Sequence, residues 1–225
     1  MQKNNKLIIF DLDDTLYLEK DYVYSGFHAV SQYLGKKFNL NAKNIFSFLK
    51  NTFEKGKRGN NFNLLLEEME ISEPLETLIN VYRTHVPEIK CFPEAKNVLS
   101  YFRIRGVPLI LLTDGYPLTQ NLKIEALKIL KYFDEVIIND ISKGTCKVNE
   151  KIFRNIIKKR KIEPLKVLVV GDNPRKDFDI PIRLGMMTVR IVKRDGLYEK
   201  EESDCPPMYR INDLKSLKSI YNLGK

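Results

Sequence analysis

Cysteine and histidine are scarce in this chain, and each scarcity removes a class of function. The three cysteines, Cys91, Cys146 and Cys205, are far apart, odd in number and show no C-x-x-C spacing. That argues against a disulfide framework and against a zinc site. Two histidines, His28 and His85, are too few for a His-rich metal centre, and both fall in segments that read as amphipathic helix. Long apolar runs are missing as well. Nothing approaches the roughly 20 residues of a membrane span, and the apolar run in the opening MQKNNKLIIFD is too short for a signal-peptide core. A cytoplasmic protein with no membrane partner is expected.

Acidic residues are the minority charge, 29 against 38 Lys and Arg, for a net charge of +9. Such a balance makes nucleic acid the first suspect. The lysines are scattered, however, and the tightest basic run, KKRK at 158–161, ends a predicted helix, where cations complement the helix dipole. No nucleic-acid partner is expected. The positive excess instead favours small anionic substrates by steering. With 43% hydrophobic and 30% charged residues the chain is an ordinary globular one, and 225 residues suffice for one full domain plus a smaller insertion.

Hydrophobic periodicity organises the second half. The runs at 107–113, 134–139, 166–172 and 187–192 read as buried strands, and helix patterns fill the intervals at 93–106, 117–133, 149–164 and 174–186. Near-continuous Val, Ile and Leu runs point to strands covered on both faces, hence a parallel sheet sandwiched by helices. KLIIFD (6–11) joins as a first strand, 211–223 reads as a last helix, and 195–209 as loop. Residues 18–92 break the alternation. They contain four helix patterns and no good strand, too long for an ordinary connection. The chain is therefore expected to be a Rossmann-like α/β core over 1–17 and 93–225, with an all-helical insertion over 18–92. That insertion is lopsided: Lys36 to Arg58 holds seven basic residues and one acid, Gly59 to Glu88 one base and six acids. Two readings stay open. The halves complement each other, or the basic turn around Lys57 and Arg58 faces an anion.

Polar residues converge on the C-terminal ends of the predicted strands: Asp11 and Asp13 after the first, Thr113 and Asp114 after the second, Asp172 after the fourth, with Asp177 in the next turn. Ligands of open parallel sheets bind at that edge. Asp11 and Asp13, two apart in extended chain, share a face. Four carboxylates in one crevice repel, and some take up protons unless a cation is present. A hard divalent cation with oxygen ligands resolves the repulsion, and Mg²⁺ also suits a phosphate substrate. Taken alone, DLDDT could equally be a surface turn or a helix N-cap.

The four segments DLDDT (Asp11 to Thr15), LLTDG with Thr113, CKVNEKIF with Lys147, and GDNPRKD with Asp172 and Asp177 resemble, in order and spacing, the four motifs of the haloacid dehalogenase-like superfamily. The resemblance covers essentially the whole chain and implies that the helical insertion is a cap choosing the substrate. It also implies a Mg²⁺-dependent phosphatase acting on a small phosphorylated metabolite, with Asp11 as nucleophile and metal ligand. Asp13 would be acid/base and would add its backbone carbonyl to the metal set. Thr113, Lys147, Asp114 and Gly115 would surround the phosphoryl group, with Asp172 and Asp177 on the metal side. A general acid at Asp13 should have a raised pKa. The motif departs from the common pattern at Asp114, often Asn, and at Val148, often Pro. The motifs do not separate a phosphatase from a sugar phosphomutase of the same architecture. A catalytically silent scaffold ranks last, because every expected catalytic side chain is present.

Overall fold

The computed structural model describes residues 6–223. Residues 1–5 and 224–225, counted with the core in the sequence-based division, lie outside the described residues. In chain order the elements are strand β1 (Leu7–Phe10), helices α1 (Glu19–Phe38), α2 (Ala42–Glu54), α3 (Asn61–Glu68), α4 (Leu75–Thr84) and α5 (Ala95–Ile104), then strand β2 (Leu109–Gly115) and helix α6 (Pro117–Leu127). Strand β3 (Glu135–Asp140), helix α7 (Glu150–Arg160), strand β4 (Val167–Gly171), helix α8 (Asp179–Arg183), strands β5 (Met187–Ile191) and β6 (Tyr209–Ile211), and helix α9 (Leu217–Leu223) complete the chain. They form two compact units, Met1–Glu19 with Lys90–Lys225, and Lys20–Ile89.

The larger unit is a Rossmann-like α/β fold. Its strands make one wholly parallel sheet in the order β3-β2-β1-β4-β5-β6. Strand side chains alternate between faces. Leu7 and Ile9 of β1 therefore join a cluster with Phe153 and Ile156 of α7 and Ile180 of α8. Phe10 faces the other way, edge-on to Phe133 with centroids 6.3 Å apart. Burial on both faces explains why β1 and β4 read as unbroken apolar runs.

This topology places the site. The sheet order reverses at β1 and β4, and a crevice opens beyond the C-terminal ends of strands at such a reversal. Phe10 lies opposite Leu111 of β2 and Val170 of β4. Asp11, whose N–H donates to the Val170 carbonyl at 2.9 Å, Thr113 and Asp172 consequently emerge along one edge.

Three stretches after β4 differ from the sequence-based expectation. The expected loop at 195–209 ends in a short edge strand, β6, paired with β5, too brief to carry a periodic signal. The helix expected over 174–186 shrinks to α8, because Asn173 turns the chain by accepting the Arg175 N–H at 3.0 Å. The last helix starts late: Asp213 accepts the Lys215 N–H at 2.7 Å and opens a 3₁₀ turn, Leu214–Ser216, before α9. The KKRK run does end α7, where Lys159 and Arg160 both hold Glu135, at 2.7 and 2.8 Å.

The smaller unit consists of α1 to α4. Asn41 caps α2 by accepting the Lys43 N–H at 2.9 Å. Phe27 of α1 packs edge-on against Phe53 and Phe62, at 6.0 Å each. The basic and acidic halves meet in a Lys37–Glu73 pair at 2.6 Å. Lys57 and Arg58 are exposed in the turn after α2. Arg58 lies over the Phe53 ring at 5.7 Å, and Lys57 shares a groove with Glu67 and Glu68. No helix among the described residues is long and apolar enough to cross a membrane.

Candidate active site

The edge of the sheet gathers three buried carboxylates. One oxygen each from Asp11, Asp172 and Asp177 lies within 4.8 Å of the others. Asp11 directly follows β1 and Asp172 directly follows β4. Asp177 returns to them from the turn before α8, where its carboxylate accepts the Asn173 N–H at 2.9 Å. Gly171 makes that return possible. A Cβ there would lie 2.3 Å from Asp177 Oδ2 and 2.6 Å from its Cγ, so only glycine leaves the carboxylate its place. Lys147, buried in the loop before α7, supplies the cation: its Nζ is 2.5 Å from Asp11 Oδ1 and 2.8 Å from Asp177 Oδ1.

Asp13 stands apart from this cluster. Its Oδ1 takes Lys123 Nζ at 2.8 Å and the Tyr17 hydroxyl in a short hydrogen bond, and its Oδ2 takes Gln120 Nε2 at 3.2 Å. Gln120 Nε2 also lies 2.6 Å from Thr113 Oγ1. Asp114 lines the same crevice, of about 110 Å³, but its carboxylate is engaged by Asn139 Nδ2 at 2.8 Å and the Lys147 N–H at 3.0 Å. Asp14 has φ of 49° and accepts the N–H groups of Glu19 at 2.8 Å and Leu197 at 2.6 Å, which makes it a turn anchor. Thr15 Oγ1 reaches Asp172 Oδ1 at 3.4 Å.

The electrostatics separate the carboxylates. Burial, only partly relieved by Lys147 and reinforced by Asp177 and Asp13, pushes Asp11 up to about 7. Burial, with Asp11 and Asp177 adding like charge, holds Asp172 well above the usual carboxylate range. For Lys147, burial is outweighed by Asp11 and Asp177, so it stays firmly protonated. Asp13 reverses the expected direction. Burial would raise it, but Lys123 and the bonds from Tyr17 and Gln120 outweigh burial, and the carboxyl sits below its ordinary range. One ammonium for three crowded carboxylates leaves Asp11 and Asp172 with raised proton affinity. An oxygen-only donor set with surplus negative charge fits a hard divalent cation.

The haloacid dehalogenase-like hydrolase family matches the chain over residues 5–182. A glyceraldehyde 3-phosphate phosphatase of Methanocaldococcus jannaschii is 30% identical over 228 residues, 98% of this chain and 99% of the relative. The chain belongs to the haloacid dehalogenase-like hydrolase family. A phosphoserine phosphatase of Thermus thermophilus is 32% identical over 126 residues, 56% of this chain and 49% of its own. Among solved structures, a phosphatase of this family from Thermococcus onnurineus superposes with a TM-score of 0.61 at 26% identity, covering 96% of this chain and 97% of the other.

In this haloacid dehalogenase-like chain, sequence patterning places Asp11, Asp13, Thr113, Asp114, Asp172 and Asp177 at one edge, the family resemblance adds Lys147, and the structure brings all seven to that edge. Gly115 ends β2 beside them. Lys57 and Arg58 belong to the separate helical unit. Sequence reasoning missed Tyr17, Gln120 and Lys123. Tyr17 reads as one more core aromatic. Gln120 and Lys123 carry a signal, since three-residue spacing puts both on one face of α6, but nothing in the spacing says which face meets the site.

Proposed function

We propose that the chain is a Mg²⁺-dependent phosphatase that hydrolyses a small phosphomonoester through an aspartyl-phosphate on Asp11. The observation that carries this reading is the division of labour among the aspartates: three form a cation-seeking cluster around Lys147, and Asp13 is held separately. The chain is a phosphoric monoester hydrolase of its family. Asp11, Asp172 and Asp177 would hold the ion, with the Asp13 backbone carbonyl as a further ligand. When bound, Mg²⁺ supplies charge stabilisation for the phosphoryl oxygens.

The chain's own groups do the rest. An Asp11 oxygen attacks phosphorus, and the ester P–O bond breaks. Lys147, the Thr113 hydroxyl and the Gly115 N–H bear on the phosphoryl oxygens, where positioning and charge neutralisation dominate such transfers. Asp13 protonates the leaving oxygen. It then takes a proton from water, which attacks phosphorus, breaks the acyl-phosphate bond and frees Asp11 and inorganic phosphate. Asp13 is ionised in the ligand-free protein, ready for the second role. The bound phosphoryl group, a like charge, raises its proton affinity for the first. Asp114 acts here as the anchor of the Lys147 loop rather than as a direct phosphate ligand.

The relatives named above act on glyceraldehyde 3-phosphate and phosphoserine, both three-carbon phosphates. A substrate of that size in the cytoplasm is the reading for this chain too, and the small crevice agrees with it. The test is inorganic phosphate release from a panel of three-carbon phosphates, sugar phosphates and nucleoside monophosphates, with and without Mg²⁺. Mg²⁺-dependent release strongest on a three-carbon ester is expected. Silence across the panel would refute the activity, and isomerisation requiring a bisphosphate activator would mark a mutase instead.

The helical unit is proposed to serve as the cap, with Lys57 and Arg58 contributing charge toward the anionic substrate. Replacing both by Ala is expected to raise KM with kcat unchanged, the mark of binding lost equally from ground and transition states. An unchanged KM would leave the turn a solvated one that stacks Arg58 on Phe53.

A further inference from the structure

The environment of Asp13 contains more than acid/base chemistry requires. A carboxylate two residues from Asp11, at the mouth of a crevice with a buried ammonium at Lys147, has an obvious alternative partner and an obvious alternative cluster to join. It does neither. Three side chains from two directions take it instead. Tyr17, four residues on, and Lys123, from α6, both bind Oδ1, and Gln120, one turn before Lys123, binds Oδ2. Lys123 is 4% exposed and Gln120 1% exposed, so neither is a surface contact that solvent would dilute. Charge-assisted bonds to a carboxylate are the strong ones.

We infer that Lys123, Gln120 and Tyr17 are positioning residues that lock Asp13 in the leaving-group position, with Oδ2 as the oxygen that exchanges the reacting proton. The inference rests on the acid/base role proposed for Asp13. The assignment of the oxygen follows from the count of bonds. Oδ1 accepts two, from Lys123 and Tyr17, while Oδ2 accepts one, from Gln120, and keeps a lone pair for the proton. Gln120 adds a second coupling. Its Nε2 spans Asp13 Oδ2 and Thr113 Oγ1, so the group facing the leaving oxygen and the group facing the phosphoryl oxygens are fixed by one amide. Gly115 fits the same device. A Cβ there would lie 2.7 Å from Gln120 Cγ and 2.8 Å from Cδ, so β2 must end in glycine for the amide to reach both partners.

The test is the dependence of kcat/KM on the leaving group. Proton donation matters little for p-nitrophenyl phosphate, whose leaving oxygen is stable as an anion, and much more for phenyl phosphate. Asp13→Asn, the reference, should lose about 100-fold or more on phenyl phosphate and far less on p-nitrophenyl phosphate. Lys123→Met, which keeps the volume and removes the charge, should reproduce that bias, losing about 100-fold on the phenyl ester and less than about 10-fold on the nitrophenyl ester. Gln120→Leu should show the same bias more weakly, and it decides the matter if Lys123→Met does not fold. Equal losses on both esters in the Lys123 or Gln120 variants, with the bias intact in Asp13→Asn, overturn the clamp alone. Equal losses in Asp13→Asn itself overturn the acid role and the clamp with it.

Discussion

Asp11→Asn is expected to abolish phosphate release, by more than about a thousandfold, and to leave the fold standing. The amide nearly matches the carboxylate in shape but cannot attack phosphorus. Lys147 loses the charge of one partner and keeps the other carboxylate, Asp177, at 2.8 Å. The stability effect has a definite sign. Burial raises Asp11 to about 7 in the folded protein, so the native state binds its proton more tightly than the unfolded chain does. Stability contributed by that proton is fully present at low pH and is lost as pH climbs toward and through about 7. A neutral Asn carries no such loss. Without Mg²⁺ at pH values above about 7, Asp11→Asn should therefore melt no lower than the unaltered protein. Parallel thermal melts and phosphate-release assays check both halves. Retained turnover would refute the nucleophile.

Gly171→Ala is the second large expectation, and it removes no functional group. The added methyl must occupy space 2.3 Å from Asp177 Oδ2. Either the carboxylate leaves the cluster or the end of β4 shifts, and both break the bonds to Lys147 at 2.8 Å and to the Asn173 N–H at 2.9 Å. Overpacking of this kind costs about 1–3 kcal/mol, visible as a lower melting temperature. The larger effect should fall on the ion. Calorimetric titration with Mg²⁺ is expected to show affinity reduced about 10- to 100-fold, the usual consequence of disturbing a metal site's ligands and their supports. Affinity equal to that of the unaltered protein would remove Asp177 from the proposed ligand set.

Most residues that carry chemistry were legible in the sequence for a topological reason; Lys147, in the loop before α7, came only from the family resemblance. A buried parallel strand reads as an unbroken apolar run, and its end is marked by the first polar residue. Asp11, Thr113 and Asp172 are such residues, so locating the strand ends located the site. The supporting contacts were not legible in that way. Asp177 was legible from its place in the turn after Asp172, but its dependence on Gly171 having no Cβ is a steric fact between side chain and backbone that no spacing records. Lys123 reaches Asp13 across 110 positions, through the packing of α6 against the sheet. That missing cation is why Asp13 was expected to be raised when it is in fact lowered. The shortened α8 and late α9 have a local cause: Asn173 and Asp213 bind backbone N–H groups two residues on, a competition with helix that periodicity does not register.

The central claim is that Asp11 carries the phosphoryl group between substrate and water. Rapid acid quenching during turnover of p-nitrophenyl phosphate with Mg²⁺, followed by mass spectrometry of proteolytic peptides, tests it most directly. A phosphorylated peptide spanning Asp11, present in the unaltered protein and absent from Asp11→Asn and from Mg²⁺-free samples, is the predicted result. Continued phosphate release with no phosphorylation at Asp11, or with the phosphoryl group on another residue, would contradict the account.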